Sequence, residues 1–196
     1  MIKIAVTGGI ACGKTTVGLL FEEDGVAVCD ADDLARAAMT QGTDVYERVR
    51  SEFGENVVCR GGELNRELLG ALVFADEAAR EKLNSIVHPV VRSAWENWLG
   101  ERRGMTGGAA VIVPLLFEAG FSYGWDAVIC VTCSEDVQLE RLQQRGLSSD
   151  EAVGRVAAQL PNAEKQKMSD FVIVNNGTKG LLKRQALKVL GRILEK

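Results

Sequence analysis

A single histidine, three prolines and two tyrosines among 196 residues narrow the chemistry this chain can perform. One histidine cannot build a histidine-rich metal centre, and five cysteines, an odd number, do not close into a disulfide framework. Cys29 and Cys130 lie inside apolar runs, where a cysteine serves as a small buried hydrophobe. Cys130-x-x-Cys133 has metal or redox spacing, but no second pair accompanies it and His88 is remote in sequence. Reduced thiols in a cytosolic protein are therefore expected. An excess of basic residues is also missing: the net charge is −4 and no arginine cluster stands out, so nucleic acid is not an expected partner. No apolar run approaches the ~20 residues that span a bilayer. The apolar part of "MIKIAVTGG" is too short for a signal peptide, so the expectation is a cytoplasmic protein without a membrane partner.

What is present is the balance of an ordinary globular domain, 46% hydrophobic and 26% charged. Five apolar runs, at 2–6, 26–29, 109–113, 127–133 and 171–174, read as strands buried on both faces of a parallel sheet. Helical periodicity fills 14–24, 43–53, 65–86, 89–103, 134–145, 149–160 and 179–194. The alternation predicts an α/β fold with helices on both sides of the sheet. Two long gaps, between the second and third strands and between the fourth and fifth, are mostly helical in pattern. Ser148-x-x-Glu151 is a capping box that starts a helix after Gly146, and Pro161 closes that segment.

Gly8, four residues, then Gly13-Lys14-Thr15 match G-x-x-x-x-G-K-[ST], with a strand before and a helical run after. Glycines let successive N–H groups turn inward, and the following helix N-terminus favours anionic phosphate. Lys14 supplies an ammonium for the β and γ phosphates, and Thr15 a hydroxyl for Mg²⁺. The loop, with Gly8, Gly9, Ala11, Cys12, Gly13, Lys14, Thr15 and Thr16, is thus a nucleoside triphosphate site. Cys12 sits at a helix N-terminus, which favours thiolate. Its oxidation or alkylation is expected to block nucleotide binding, unless it is an inert thiol in the place of a serine.

The acceptor is harder to read. No "NKxD" for guanine occurs, and "AAVIV" runs into Pro114 and apolar residues rather than ending in a metal-binding carboxylate. A small kinase fits better than a switch GTPase or a transport ATPase. "CDADD" follows the second strand, at an edge where ligands bind in doubly wound sheets. Asp32 is the candidate base there, with helix capping by these aspartates as the plainer reading.

The motifs now in hand resemble those of the dephospho-coenzyme A kinase family along nearly the whole chain. "TGGIACGKTTV", "DADDLAR", "QG" at 41–42, "FGENV", "GGELNRELLGALVF", "LNSIVHP", "VPLLFEAG", and "QLER" with Arg145, Gln159 and "SDFVIVNNG" occur in order. The resemblance implies a P-loop NTPase fold whose five-stranded parallel sheet carries a helical substrate lobe and a small lid. It divides the single kinase domain into a nucleotide-binding core (1–31, 105–133, 161–196), an acceptor lobe (32–104) and a lid (134–160). It implies transfer of the ATP γ-phosphate to the ribose 3'-hydroxyl of dephospho-coenzyme A, with Mg²⁺. Asp32 matches the base; Arg66, His88, Pro114, Leu115, Phe117 and Glu118 lie around the acceptor. Arg141 and Arg145 belong to the lid, and Asn175 and Gly177 to the loop beside adenine.

Alternatives stay open: another small-molecule or nucleoside monophosphate kinase, or an inactive nucleotide-binding module. "PLLFE" with "LNSIVHP" speaks against the first, and Lys14, Thr15, Asp32 and the two arginines against the second. The chain departs from the family's usual residues at Ala11-Cys12 (Gly-Ser), Gln41 (Pro), Asn65 (Asp) and Ser169 (Ala). His88, before Pro89 at a predicted helix start, has a structural role as its plainer reading. Trp95 and Trp98 read as core, and a solvated helix face is the alternative for the two arginines, which read first as phosphate contacts.

Overall fold

A computed structural model describes residues 1–195. Its strands are β1 (Ile2–Thr7), β2 (Ala27–Asp30), β3 (Gly108–Ile112), β4 (Ala127–Thr132) and β5 (Phe171–Val174). The helices are α1 (Lys14–Glu23), α2 (Ala31–Ala38), α3 (Asp44–Phe53), α4 (Arg66–Ala75), α5 (Glu77–Gly100), α6 (Glu135–Gln144), α7 (Ser149–Ala157), α8 (Asn162–Lys167) and α9 (Lys179–Leu194). The strands form one parallel sheet in the order β2-β3-β1-β4-β5. All five lie within two residues of the predicted runs.

The chain divides into two compact units, one made of Met1–Asp30 with the chain from Leu99 onward, the other of Ala31–Trp98. The final residue of the predicted core segment, Lys196, lies outside the described residues. In the first unit, alternate strand residues Ile4, Val6, Ile112, Ile129, Val131 and Ile173 meet Val17 and Phe21 of α1 and Leu182, Ala186, Leu190 and Ile193 of α9. The opposite-facing Ala5, Val111 and Cys130 are also fully buried, which is why the strands read as continuous apolar runs rather than alternating ones. In the second unit, Val45, Tyr46 and Val49 of α3 are buried, as are Val57, Leu64 and Leu69. Thr43 caps α3 by accepting from Tyr46 N–H, and Asn65 caps α4 by accepting from Leu68 N–H at 3.0 Å.

Three helix expectations are corrected. The run 65–86 is broken at Asp76, which is extended; its N–H closes α4 on Leu72 O while its carboxylate accepts from Ala78 and Ala79 N–H. Apolar periodicity passes over such a cap. His88 does not precede a helix start, because α5 runs through Pro89 without a break. The proline forfeits one backbone bond, a cost of ~3 kcal/mol. Burial of Val91, Trp95 and Leu99 beyond it, at ~1.5–3 kcal/mol each, outweighs that loss. Finally, helix 149–160 ends at Ala157, and Pro161 opens the short helix α8 rather than ending a segment.

Gly8 and Gly25 offer a paired test of backbone constraint. Both have positive φ, but a Cβ at Gly8 would lie 1.9 Å from the Val131 carbonyl oxygen, whereas one at Gly25 would meet nothing within 4 Å. Gly25→Ala is expected to cost about 1 kcal/mol, the left-handed penalty alone. Gly8→Ala should cost about 3 kcal/mol because two backbone segments must separate. Urea unfolding midpoints of the two variants measure the difference.

Candidate active site

The phosphate loop joins β1 to α1 and is shaped by hydrogen bonds to its carbonyl oxygens. Lys14 Nζ donates to Gly8 O at 3.1 Å and Gly9 O at 2.9 Å. Gln138 Nε2 donates to Ile10 O at 2.7 Å, Arg141 Nη1 to Ala11 O at 3.1 Å, and Asn175 Nδ2 to Cys12 O at 2.8 Å. Val17 N–H takes Gly13 O as the first turn of α1. Every carbonyl from Gly8 to Gly13 is thereby engaged. A backbone whose carbonyls are held in this way presents N–H groups together, the arrangement that binds phosphate oxygens. Gln159 Oε1 accepts from Ile10 N–H at 2.8 Å and fixes the loop's outer bend.

The residues singled out around this loop fall into place unevenly. Lys14, Thr15 and Thr16 occupy the first turn of α1, with both threonines exposed. Thr15 can offer its hydroxyl to a hard cation whose other ligands are phosphate oxygens and water, the coordination Mg²⁺ favours. Arg141 is not part of a solvated helix face: its guanidinium bridges Ala11 O and Asn175 O, the latter at 3.0 Å, and sets a fixed positive charge beside the loop. Arg145 is the exposed C-cap of α6. Asn175 is buried with its amide turned to the loop, while Gly177 is exposed before α9.

Because the sheet is parallel, β2 ends at Asp30 on the same edge as the phosphate loop. Asp32 follows as the second residue of α2, and it is exposed. Its neighbour Asp33 is engaged with Arg36 at 2.7 Å. Within the second unit, Arg66 opens α4 and donates to Arg36 O at 3.2 Å. It borders a cavity of about 170 Å³ lined also by Met39, Leu64, Leu69, Gly70 and Leu83. His88 lies in the middle of α5, where burial pushes its pKa below the ordinary value and favours the neutral ring.

The remaining residues expected around the acceptor belong to the first unit. After β3, Pro114, Leu115 and Phe117 are partly buried and Leu116 fully so. Glu118 is paired with Lys165 Nζ at 2.7 Å and accepts from Leu160 N–H at 3.1 Å. Lys165 is completely buried and also donates to Pro114 O at 3.1 Å.

The family model for dephospho-CoA kinase, CoaE, matches residues 2–188. The chain belongs to the dephospho-CoA kinase family. It is 43% identical over 194 residues to the dephospho-CoA kinase of Geobacillus kaustophilus, covering 96% of this chain and 95% of that one. Among solved structures it is similar to TT1252 from Thermus thermophilus, with a TM-score of 0.84 and 32% identity over 98% of this chain and 97% of that one. It is also similar to a dephospho-CoA kinase from Campylobacter jejuni, with a TM-score of 0.70 and 27% identity over the same shares. The sheet and its flanking helices are the P-loop kinase fold.

Two features of this dephospho-CoA kinase family member escape local sequence reading. Lys165 sits in "AEKQK", a stretch with the composition of a solvated helix, and only the fold reveals it as the partner of Glu118. Cys133 meets Cys12, Sγ to Sγ at 3.5 Å, rather than acting with Cys130, whose thiol is pushed up to about 11 chiefly by burial. The expectation of Cys12 as an alkylation site is corrected accordingly. Its side chain is fully buried in the core beneath the sheet's end, where a bulky reagent has no approach. Among the described residues, no three His, Cys, Asp or Glu side chains gather into a metal-binding group.

Two substitutions test this construction. Gln138→Ala removes the donor to Ile10 O and is expected to raise the ATP KM about tenfold, the ~1.4 kcal/mol of one lost bond; steady-state kinetics with varied ATP check it. Lys165→Met should destabilise the fold by about 2–3 kcal/mol, below the ~3–5 kcal/mol of a fully buried pair because Glu118 keeps some access to water. Thermal and urea unfolding measure it.

Proposed function

We propose that this kinase phosphorylates the ribose 3'-hydroxyl of dephospho-coenzyme A with ATP, giving coenzyme A and ADP, through the residues named above. Family membership supports the reaction. The phosphate loop, with its six engaged carbonyls, is the observation that carries the nucleotide half. Its N–H groups and Lys14 bind the β and γ phosphates, and Arg141 adds a positive charge at a fixed position. Thr15 would hold Mg²⁺, which when bound offsets charge on the phosphate oxygens. Asn175 and Gly177 border the adenine side.

Asp32 orients the 3'-hydroxyl and accepts its proton as the oxygen attacks the γ-phosphorus. Arg66, His88 and the segment from Pro114 to Glu118 contribute to the acceptor site, the segment being fastened by Lys165. Residues 134–160 supply the lid: Gln138 and Arg141 stay fastened to the loop, while the chain beyond them brings Arg145 toward the phosphates and excludes water, which would otherwise compete as acceptor. Thus 1–31, 105–133 and 161–196 serve the nucleotide and 32–104 the acceptor. All five cysteines are free, which suits a reducing cytoplasm. No helix among the described residues is long and apolar enough to cross a membrane.

The test is ADP release with Mg-ATP and, in turn, dephospho-coenzyme A, AMP, adenosine, shikimate and gluconate. Dephospho-coenzyme A should be the acceptor that stimulates release, and failure to do so would overturn the reading. Asp32→Asn should lower kcat by about 10²–10⁴-fold, the usual share of a general base, with ATP affinity little changed. Wild-type turnover in that variant would remove Asp32 from the base role.

A further inference from the structure

Cys12 and Cys133 are 121 residues apart in sequence and adjacent in space. Cys12 belongs to the phosphate loop and Cys133 ends the β4 run; their sulfurs are 3.5 Å apart, Cys133 donating to Cys12. Asn162 Nδ2 also approaches Cys12 Sγ, at 3.7 Å, and contacts Cys133 O at 3.4 Å. We propose that Cys12 and Cys133 form a redox pair, linked by a disulfide when a peroxide oxidises the protein, and that this link switches off nucleotide binding.

The chemistry balances with hydrogen peroxide as oxidant. Cys12 thiolate attacks one peroxide oxygen, the O–O bond breaks, a sulfenic acid forms on Cys12, and the departing hydroxide takes up the proton that Cys12 had given to solvent and leaves as water. Cys133 sulfur then attacks the Cys12 sulfur, the S–O bond breaks, and the Cys133 proton leaves with the hydroxyl as a second water. Two thiols lose two electrons and the peroxide gains them. Cys12 is suited to the first step. The hydrogen bond from Cys133 lowers its pKa against the opposing effect of burial, and the Lys14 charge lowers it further. Cys133, raised by the same hydrogen bond, keeps its proton and acts as the resolving thiol. Cys12 is 0% exposed and Cys133 6%, so the oxidant must be as small as hydrogen peroxide, entering beside Cys133.

The consequence follows from where Cys12 sits. A disulfide needs its sulfurs at ~2.05 Å, about 1.5 Å closer than they stand in the reduced protein. The Cys12 backbone is tied on both sides, its N–H to Gly9 O and its carbonyl to Asn175, so movement of its side chain is passed to the loop. A loop displaced so that two of its N–H groups no longer reach the phosphates loses on the order of 10²-fold in affinity.

Wild-type protein and Cys133→Ser are treated with hydrogen peroxide, then assayed by non-reducing peptide mapping, by free-thiol titration after unfolding in denaturant and for binding of Mg-ATP by the folded protein. Wild type should give a peptide joining Cys12 to Cys133, fall from five titratable thiols to three, and weaken in ATP binding by about 10²-fold until dithiothreitol restores it. Cys133→Ser should bind ATP normally before treatment and form no disulfide at Cys12 after it, oxidation stopping at the Cys12 sulfenic acid. The peptide map and thiol count of the wild type stand even if the variant folds poorly. Five free thiols after treatment, a disulfide between other cysteines, or a Cys12–Cys133 link with unchanged ATP binding would each overturn the proposal.

Discussion

The structure turns on who holds the carbonyl oxygens of the phosphate loop. A loop of six peptide units has as many acceptors as donors, and an anion can be bound only if the acceptors are occupied elsewhere. Here they are occupied by Lys14, Gln138, Arg141, Asn175 and the first turn of α1. Three of these side chains come from 128 to 163 residues downstream. The loop is therefore a product of the assembled sheet, since β4 and β5 deliver α6 and Asn175 to it. The glycines answer the same constraint: a Cβ at Gly9 would lie 2.4 Å from Asn162 Oδ1 and 2.7 Å from Gln138 Nε2, inside the layer of side chains that supports the loop.

A second fastening runs through Pro114. Its carbonyl accepts from Lys165 and from Thr7 Oγ1, the latter at 3.3 Å, and Val113 N–H bonds Val6 O. The turn after β3 is thus bound to the end of β1, where the phosphate loop starts. Burying Lys165 is costly in isolation. The carboxylate of Glu118 and the proline carbonyl offset that cost only while "PLLFE" keeps its shape, so the ion pair selects one conformation of the segment. Ser169, a departure from the family's usual alanine, adds its hydroxyl to Lys165 O at 2.8 Å and is absorbed without strain.

What local pattern encodes was legible and what distance encodes was not. The strands announce themselves because burial on both faces demands unbroken Val, Ile, Ala and Cys. The phosphate loop is legible from glycine spacing alone. Ser148 and Glu151 form the predicted capping box, and Asn65 caps α4 as an aspartate would, so its missing charge has a structural substitute. By contrast, Asp76 hides inside an apolar period, and Pro89 is overruled by packing that lies beyond it. Gln138 stands in "QLER", a stretch in which nothing signals its bond to Ile10 O under the loop. Lys165 and the Cys12–Cys133 contact depend on which elements the sheet brings together, and no window of sequence contains both partners.

Ala11 shows how a departure in the loop is tolerated. Its φ of 59° is the one positive value at a non-glycine among the described residues, a strain of ~1–2 kcal/mol. Glycine would avoid it, but glycine loses about 0.5–1 kcal/mol more chain entropy on folding. The alanine methyl is also buried against Leu142 of α6 and Ala152 of α7, with Ile10, Leu139 and Val156 around them, a gain of ~0.8 kcal/mol. The opposing contributions nearly cancel. Alanine at this position exchanges backbone freedom for a contact between the loop and the α6–α7 pair, the segment that also carries Arg141 to the loop carbonyl of the same residue. The loop's shape and the placement of its nearest arginine are thereby set by one local packing arrangement.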